Sequence, residues 1–142
     1  MRTEIEYIKD ERQATSICTI YDRDAEFVGI ATCHADDIPY ASELTGGHIS
    51  EARAIIKYMQ HQKLIVSNQL KCLRHVYGCI KSSSKHQPKS IESRLIRNQI
   101  RVKENELAEI NSDIKDVKEN LKEYITLKNK QFDRYKALAE NN

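Results

Sequence analysis

From Ile49 to Ile80 the apolar and aromatic residues keep a strict three-four spacing: Ile49, Ala52, Ile56, Met59, Val66, Leu70, Leu73, Tyr77 and Ile80, with Lys63 the one interruption. A strand needs period two, so a stretch of this length commits the chain to a long amphipathic helix. A second such stretch follows, marked by Ile91, Leu95, Ile100, Leu107, Ile110, Ile114, Val117 and Leu121. Its phase is read as slipping between Leu121 and Ile125 and resuming through Phe132, Tyr135 and Leu138, which would be a stutter. Between the two lies "KSSSKHQPKS", Ser-rich and closed by Pro88, which ends the first helix. At 1.5 Å per residue the second helix would be on the order of 75 Å long. Such a helix folds back along the first, pairs with another copy, or does both.

The first 40 residues read differently. "TEIEYIK", "ATSICTIYD" and "AEFVGIATCH" alternate apolar and polar residues and are rich in β-branched side chains. Asp22-Arg23-Asp24 is a turn candidate between the last two. A sheet of two or three antiparallel strands is marginal unless something packs on it. Pro39 forbids a central strand beyond it, Gly46-Gly47 marks a break, and Ser50 is a candidate helix cap. Ser90 is the cap expected for the second helix. The expected fold is α+β in a single domain: a β-region over 1–40, a first helix over 41–82, a linker over 83–90 and a second helix over 91–139. The helices are expected to close into an antiparallel hairpin or coiled coil, and the thin single-chain core to be completed by oligomerisation.

Composition agrees with long helices, at 31% charged residues with no Trp and only six Gly and Pro. The net charge of +2 is uneven. Residues 81–103 carry seven bases against Glu92 alone, whereas residues 104–127 carry seven acids against three lysines. A basic block beside an acidic one suggests an anion site, or two helices pairing head against tail. The charged start "MRTEIEYIKDERQ" does not read as a secretory signal, and no run approaches a membrane span. The four cysteines show no dense disulfide framework, so they are expected to be reduced and the protein cytoplasmic.

Catalytic chemistry finds little footing. Cys72, His75 and Cys79 lack the paired close spacing of a zinc site, and Cys72 and Cys79 read as small core residues. Cys33 and His34 are adjacent on a strand and point to opposite faces. There is no nucleophile elbow and no glycine-rich phosphate loop. Neither an enzyme, a metal nor a cofactor is expected. The basic residues are more informative. Arg53 and Lys57 share one face of the first helix, and Arg94, Arg97 and Arg101 one face of the second. Arginine's planar fork suits bidentate phosphate recognition. Tyr77 offers a face on which a base can stack, and Gln87 and Asn98 offer amides for base edges or ribose hydroxyls. The competing reading makes Tyr77 core and gives the arginines to Glu104, Glu106 or Glu109 of a partner helix.

"EFVGIATCHADD", "GGHISEARAIIKYM" and, after the polar linker, "ESRLIRNQIR" together resemble the anti-Thoeris sponges, a family of small phage proteins. The resemblance covers roughly residues 15–105. It implies an N-terminal antiparallel sheet and two long helices, assembled as a dimer or hexamer. It implies sequestration, without cleavage, of a cyclic ADP-ribose isomer made by a TIR-domain protein in the host cytoplasm. Some members also hold cyclic oligonucleotides. Carried over, Arg53 matches the arginine of A-R-A, Tyr77 the aromatic that stacks on adenine, and Arg94, Arg97 and Arg101 the basic stretch after the linker. The family's ligand-contacting asparagine has Gln87 and Asn98 as candidates. The alternative is a coiled-coil regulator that binds nucleic acid or another protein.

Overall fold

The computed structural model describes residues 1–33, 42–83 and 91–141. Three strands, β1 (Arg2–Lys9), β2 (Ala14–Asp22) and β3 (Ala25–Cys33), precede two helices, α1 (Glu43–Ser83) and α2 (Ile91–Glu140). The expected linker, with Gln87, Pro88 and Ser90, lies almost wholly outside the described residues, as do His34, Asp36, Asp37 and Pro39. Among the described residues no helix is long and apolar enough to cross a membrane. The chain clusters into two compact units: Met1–Tyr58 with Lys115–Asn142, and Met59–Ile114.

In the first unit the strands form one antiparallel sheet in the order β1-β2-β3. β2 shows the alternation its sequence promised. Ala14, Ser16, Cys18 and Ile20 are buried, and the residues between them are half-exposed. The β2–β3 connection is the two-residue turn Arg23-Asp24, closed by the Asp22–Ala25 pair, with Arg23 at φ 56°. The β1–β2 turn is held by Asp10, whose Oδ1 accepts the N–H groups of Arg12 (2.7 Å) and Gln13 (2.8 Å). Those two bonds hold the Asp10 carboxyl below its ordinary pKa.

The opening of α1 packs on this sheet because two of the facing residues are small. Cys18 on β2 pairs with Gly29 on β3, and Ala54 of α1 is fully buried over them. A side chain at Gly29 would run into the α1 backbone at Ser50 O and Ala54 N, so glycine sets how closely helix and sheet approach. Ile20 joins Cys18 and Ala54 in the core, and Phe27, Ile55 and Tyr58 flank it, the Phe27 and Tyr58 rings meeting edge-on at 5.5 Å.

Three local expectations change. Gly46-Gly47 does not break the chain but lies inside α1, which begins at Glu43. Ser42 caps that end, its Oγ accepting the Thr45 N–H at 3.3 Å and its carbonyl the Gly46 N–H at 2.9 Å. Ser50 is no cap. It is buried, and its hydroxyl donates to Gly47 O at 3.0 Å within the helix. Glycine is tolerated here because Gly46 lies directly against Ser16 of β2, where a Cβ would strike the hydroxyl.

In α2 the inward positions are also not those of the apolar residues alone. Ile91 and Leu95 are 76% and 56% exposed. The covered line of the second unit runs through Ser93, Ile96, Ile100, Lys103, Leu107, Ile110 and Ile114. Beyond residue 115, in the first unit, the same spacing continues through Val117, Leu121, Tyr124, Lys128 and Gln131, so the phase does not slip. Instead the band widens, with Ile125 and Phe132 half-buried beside Tyr124 and Gln131. Tyr135 and Leu138 are exposed.

Candidate functional site

The expected site residues fall into three places. Arg53 and Lys57 lie in the first unit, where β3 is an edge strand. Arg53 Nη1 donates to Ile30 O and Lys57 Nζ to Val28 O, both at 2.6 Å. Edge carbonyls are a template for unwanted strand pairing, and cations placed on them blunt that edge. Helical spacing of four puts both cations on this edge while Ala54, between them in sequence, turns into the core.

Tyr77, Arg94, Arg97, Asn98 and Arg101 lie in the second unit, where the later part of α1 and the opening of α2 pack side by side. Arg97 Nη2 donates to the Tyr77 hydroxyl at 2.9 Å, and its guanidinium carbon stands 5.8 Å from the ring centroid. The Arg97 hydrogen bond pulls the phenol below its ordinary pKa. The nearby charges of Arg97 and Lys81 and a hydrogen bond with Ser93 act in the same direction. Arg94 and Arg101 extend the cationic flank one turn either side of Arg97, and all three arginines are exposed. One turn along, Arg74 Nη2 meets Glu104 Oε1 at 3.1 Å. Glu106 pairs instead with Lys103 on its own helix, at 3.1 Å.

Asn98 goes elsewhere. It lines a groove of about 910 Å³ on the other flank of the hairpin, with Ile65, Gln69 and Cys72 of α1 and Leu95 and Val102 of α2. Cys72 and Cys79 are exposed rather than core residues. Each sits one position off the covered line Val66, Leu70, Leu73, Tyr77, Ile80. The Cys79 thiol rests 3.8 Å from His75 Nε2. Among the described residues no three His, Cys, Asp or Glu side chains gather as a metal site would require. Gln87 lies outside the described residues.

The cluster therefore consists of Tyr77, Ser93 and Arg97 with Lys81 beside them. Lys81 and Ser93 were missed as site residues, although Lys81 follows Tyr77 by four and Ser93 precedes Arg97 by four, so each shares its partner's face. Chemically the cluster offers an aromatic ring, a phenol of lowered pKa, one arginine held against it and further cations nearby, a set suited to anions and flat rings. Comparison with protein-family models, with curated proteins and with solved structures returns no match to this chain.

Proposed function

We propose that this chain binds and sequesters a small cyclic nucleotide signal of the cyclic ADP-ribose class, without cleaving it, as the anti-Thoeris sponges it resembles do. The observation that carries the reading is the Arg97 guanidinium held at the Tyr77 ring, with Lys81 and Ser93 at the same phenol. A cyclic ADP-ribose has two phosphate charges and an adenine. It requires guanidinium groups and an aromatic face, and no general base. Holding the arginine against the tyrosine before ligand arrives lowers the ordering cost of binding. On this reading the protein acts in the cytoplasm of a phage-infected cell, and cyclic oligonucleotides are a second ligand class to assay.

Calorimetry on the purified protein with each cyclic ADP-ribose isomer tests the reading. Saturable binding that Arg97→Ala weakens about tenfold or more, with unchanged helical circular dichroism, is expected from the loss of one charge-assisted contact. The ligand should return intact after heat denaturation. No heat with any isomer would overturn the reading, and a hydrolysed ligand would make the protein an enzyme.

A specific observation favours self-association alongside this. Ile65, Leu95 and Val102, all exposed, line the second flank together with the amides of Asn68, Gln69, Asn98 and Gln99. Apolar seams carrying occasional buried amides are how helices choose partners and register. A homo-oligomer assembled through this groove, as a coiled coil or bundle, is the proposed assembly. Sedimentation of Val102→Glu against the parent chain tests it, and an unchanged mass would sink it. The alternative of a nucleic-acid regulator is weakened by a net charge of only +2.

A further inference from the structure

The first unit holds a cavity of about 210 Å³ where the opening of α1, the sheet and the later part of α2 meet. Its polar lining is Ser16, Thr32, Ser42, Thr45, Arg53 and Asn129, and Tyr7, Ile49, Ile125 and Phe132 supply the apolar walls. Ser16 is 1% exposed, and its Oγ has no hydrogen-bond partner among the described residues. That hydroxyl lies against Gly46, in the opening turns of α1. An unpaired buried hydroxyl destabilises the fold, so a position that keeps one has a use for it.

Among the described residues no Asp or Glu lines the cavity. The opening of a 41-residue helix borders it through Thr45 and Gly46, whose N–H groups are taken up by Ser42, so what the helix end adds there is the partial positive charge of its dipole. Arg53 also lines it, and only Nη1 of that guanidinium is committed, to Ile30 O. Glu43, the acid of the first α1 turn, lines a different hollow with Ile5, His48 and Glu51. Hydroxyl, amide and guanidinium donors beside a helix N-terminus, with no carboxylate facing them among the described residues, make a receptor for an oxyanion. The cavity exceeds the volume of a bare phosphate, and its remaining wall is aromatic and aliphatic.

We infer that this cavity is a binding site for a small molecule carrying one oxyanion group on an apolar body. Ser16 and the first turn of α1 receive the oxyanion, and Tyr7, Ile49 and Phe132 receive the body. The site uses none of the Tyr77 cluster and stands or falls without it.

Titration of the ¹⁵N-labelled full chain with inorganic phosphate, phenyl phosphate and benzoate tests the inference by amide shifts. The amides of Ser16, Thr45 and Gly46 should shift saturably, and an organic anion should bind at least about tenfold tighter than inorganic phosphate through its buried ring. Whether phenyl phosphate or benzoate is the tighter identifies the anion as phosphate or carboxylate. Ser16→Ala should weaken that binding by about tenfold, as loss of a hydrogen bond to a charged group does, yet raise the thermal midpoint of the ligand-free protein. Asn129→Ala, a change at an exposed side chain, should weaken binding severalfold with the midpoint unchanged. Shifts that do not saturate, shifts spread over the whole chain, or affinities equal in the parent and both variants would overturn the inference.

Discussion

Gly29→Ala isolates the contact on which the sheet unit is built. A methyl at Gly29 would stand 2.5 Å from Ala54 N and 3.0 Å from Arg53 Cβ, and nearer still to Ser50 O. Two of these three atoms are helix backbone, which has no rotamer by which to move aside. Restoring ordinary van der Waals contact, 3.4 Å or more, lifts α1 from β3 by about 0.9 Å at Ala54. A gap of that size forfeits roughly a quarter to a half of the dispersion energy across it. Ile20, Phe27 and Ile55 line the seam, and each contributes about 1.5–3 kcal/mol by burial. The loss is then about 1–4 kcal/mol, to which overpacking strain of about 1–3 kcal/mol adds. We expect a destabilisation of about 2–7 kcal/mol, a large part of the roughly 5–15 kcal/mol that holds a typical domain. Urea unfolding followed by far-ultraviolet circular dichroism measures it. Gly78→Ala is the control: it lies on an exposed face of α1 with open space around its Cβ, and it should stabilise by about 0.5–1 kcal/mol. A Gly29→Ala protein within about 1 kcal/mol of the parent would refute the packing argument, whatever Gly78→Ala does.

The phenol of Tyr77 should titrate below the ordinary tyrosine value, and Arg97→Ala should return it toward that value. Its folded-state pKa is depressed, so it stabilises the fold above the unfolded tyrosine pKa and loses that contribution as pH falls through the folded value. Phenolate absorbance of the parent against Tyr77→Phe reads the difference, and superimposable curves would count against the cluster. Asp10, also depressed, stabilises the fold above the ordinary aspartate pKa, and that contribution fades as pH falls through its lowered value. Asp10→Asn should therefore flatten the acid limb of the stability–pH curve, and an unaltered limb would remove Asp10 from the account. Arg23→Gly relieves a non-glycine residue at φ 56° and should raise the urea midpoint by up to about 1 kcal/mol of stability. A lowered midpoint would mean that the arginine side chain does something else in that turn.

The parts of the fold legible in the sequence are those whose pattern comes from one dominant force. β2 could be read because water on one face and core on the other impose period two, and α1 because nine of its positions keep one spacing. The reading failed where packing and local identity disagree. From Ile100 to Leu121 the apolar residues do mark the covered line, but in the first turns of α2 Ser93 and Ile96 are covered where Ile91 and Leu95 are exposed, so tracking those two put the start of the seam on the wrong flank. Long side chains such as Lys103 can cover apolar surface with their stems while the amine stays at the rim, here on Glu106. The apparent slip at Ile125 had a related origin. Ile125 and Phe132 are drawn to the cavity while Tyr124 meets the His48 ring at 5.5 Å, so two neighbouring lines of the helix are covered at once.

The same distinction separates the two candidate binding regions. Arginines at 94, 97 and 101 announce themselves by charge and spacing, and so does a tyrosine on the facing helix. Ser16 announces nothing: one hydroxyl in an alternating strand looks like any other strand serine. What singles it out is that the alternation sends it inward, beneath a glycine of the first α1 turns, where the protein gives it nothing to bond. Gly46, the first of the glycine pair that read as a chain break, is in the fold the clearance that lets helix N-terminus and strand hydroxyl converge beside Arg53. A broken helix at Gly46 would disperse those donors. A continuous helix from Glu43 aims its dipole at one place, beside the Ser16 hydroxyl and Arg53, and so turns a local sequence oddity into a candidate anion receptor.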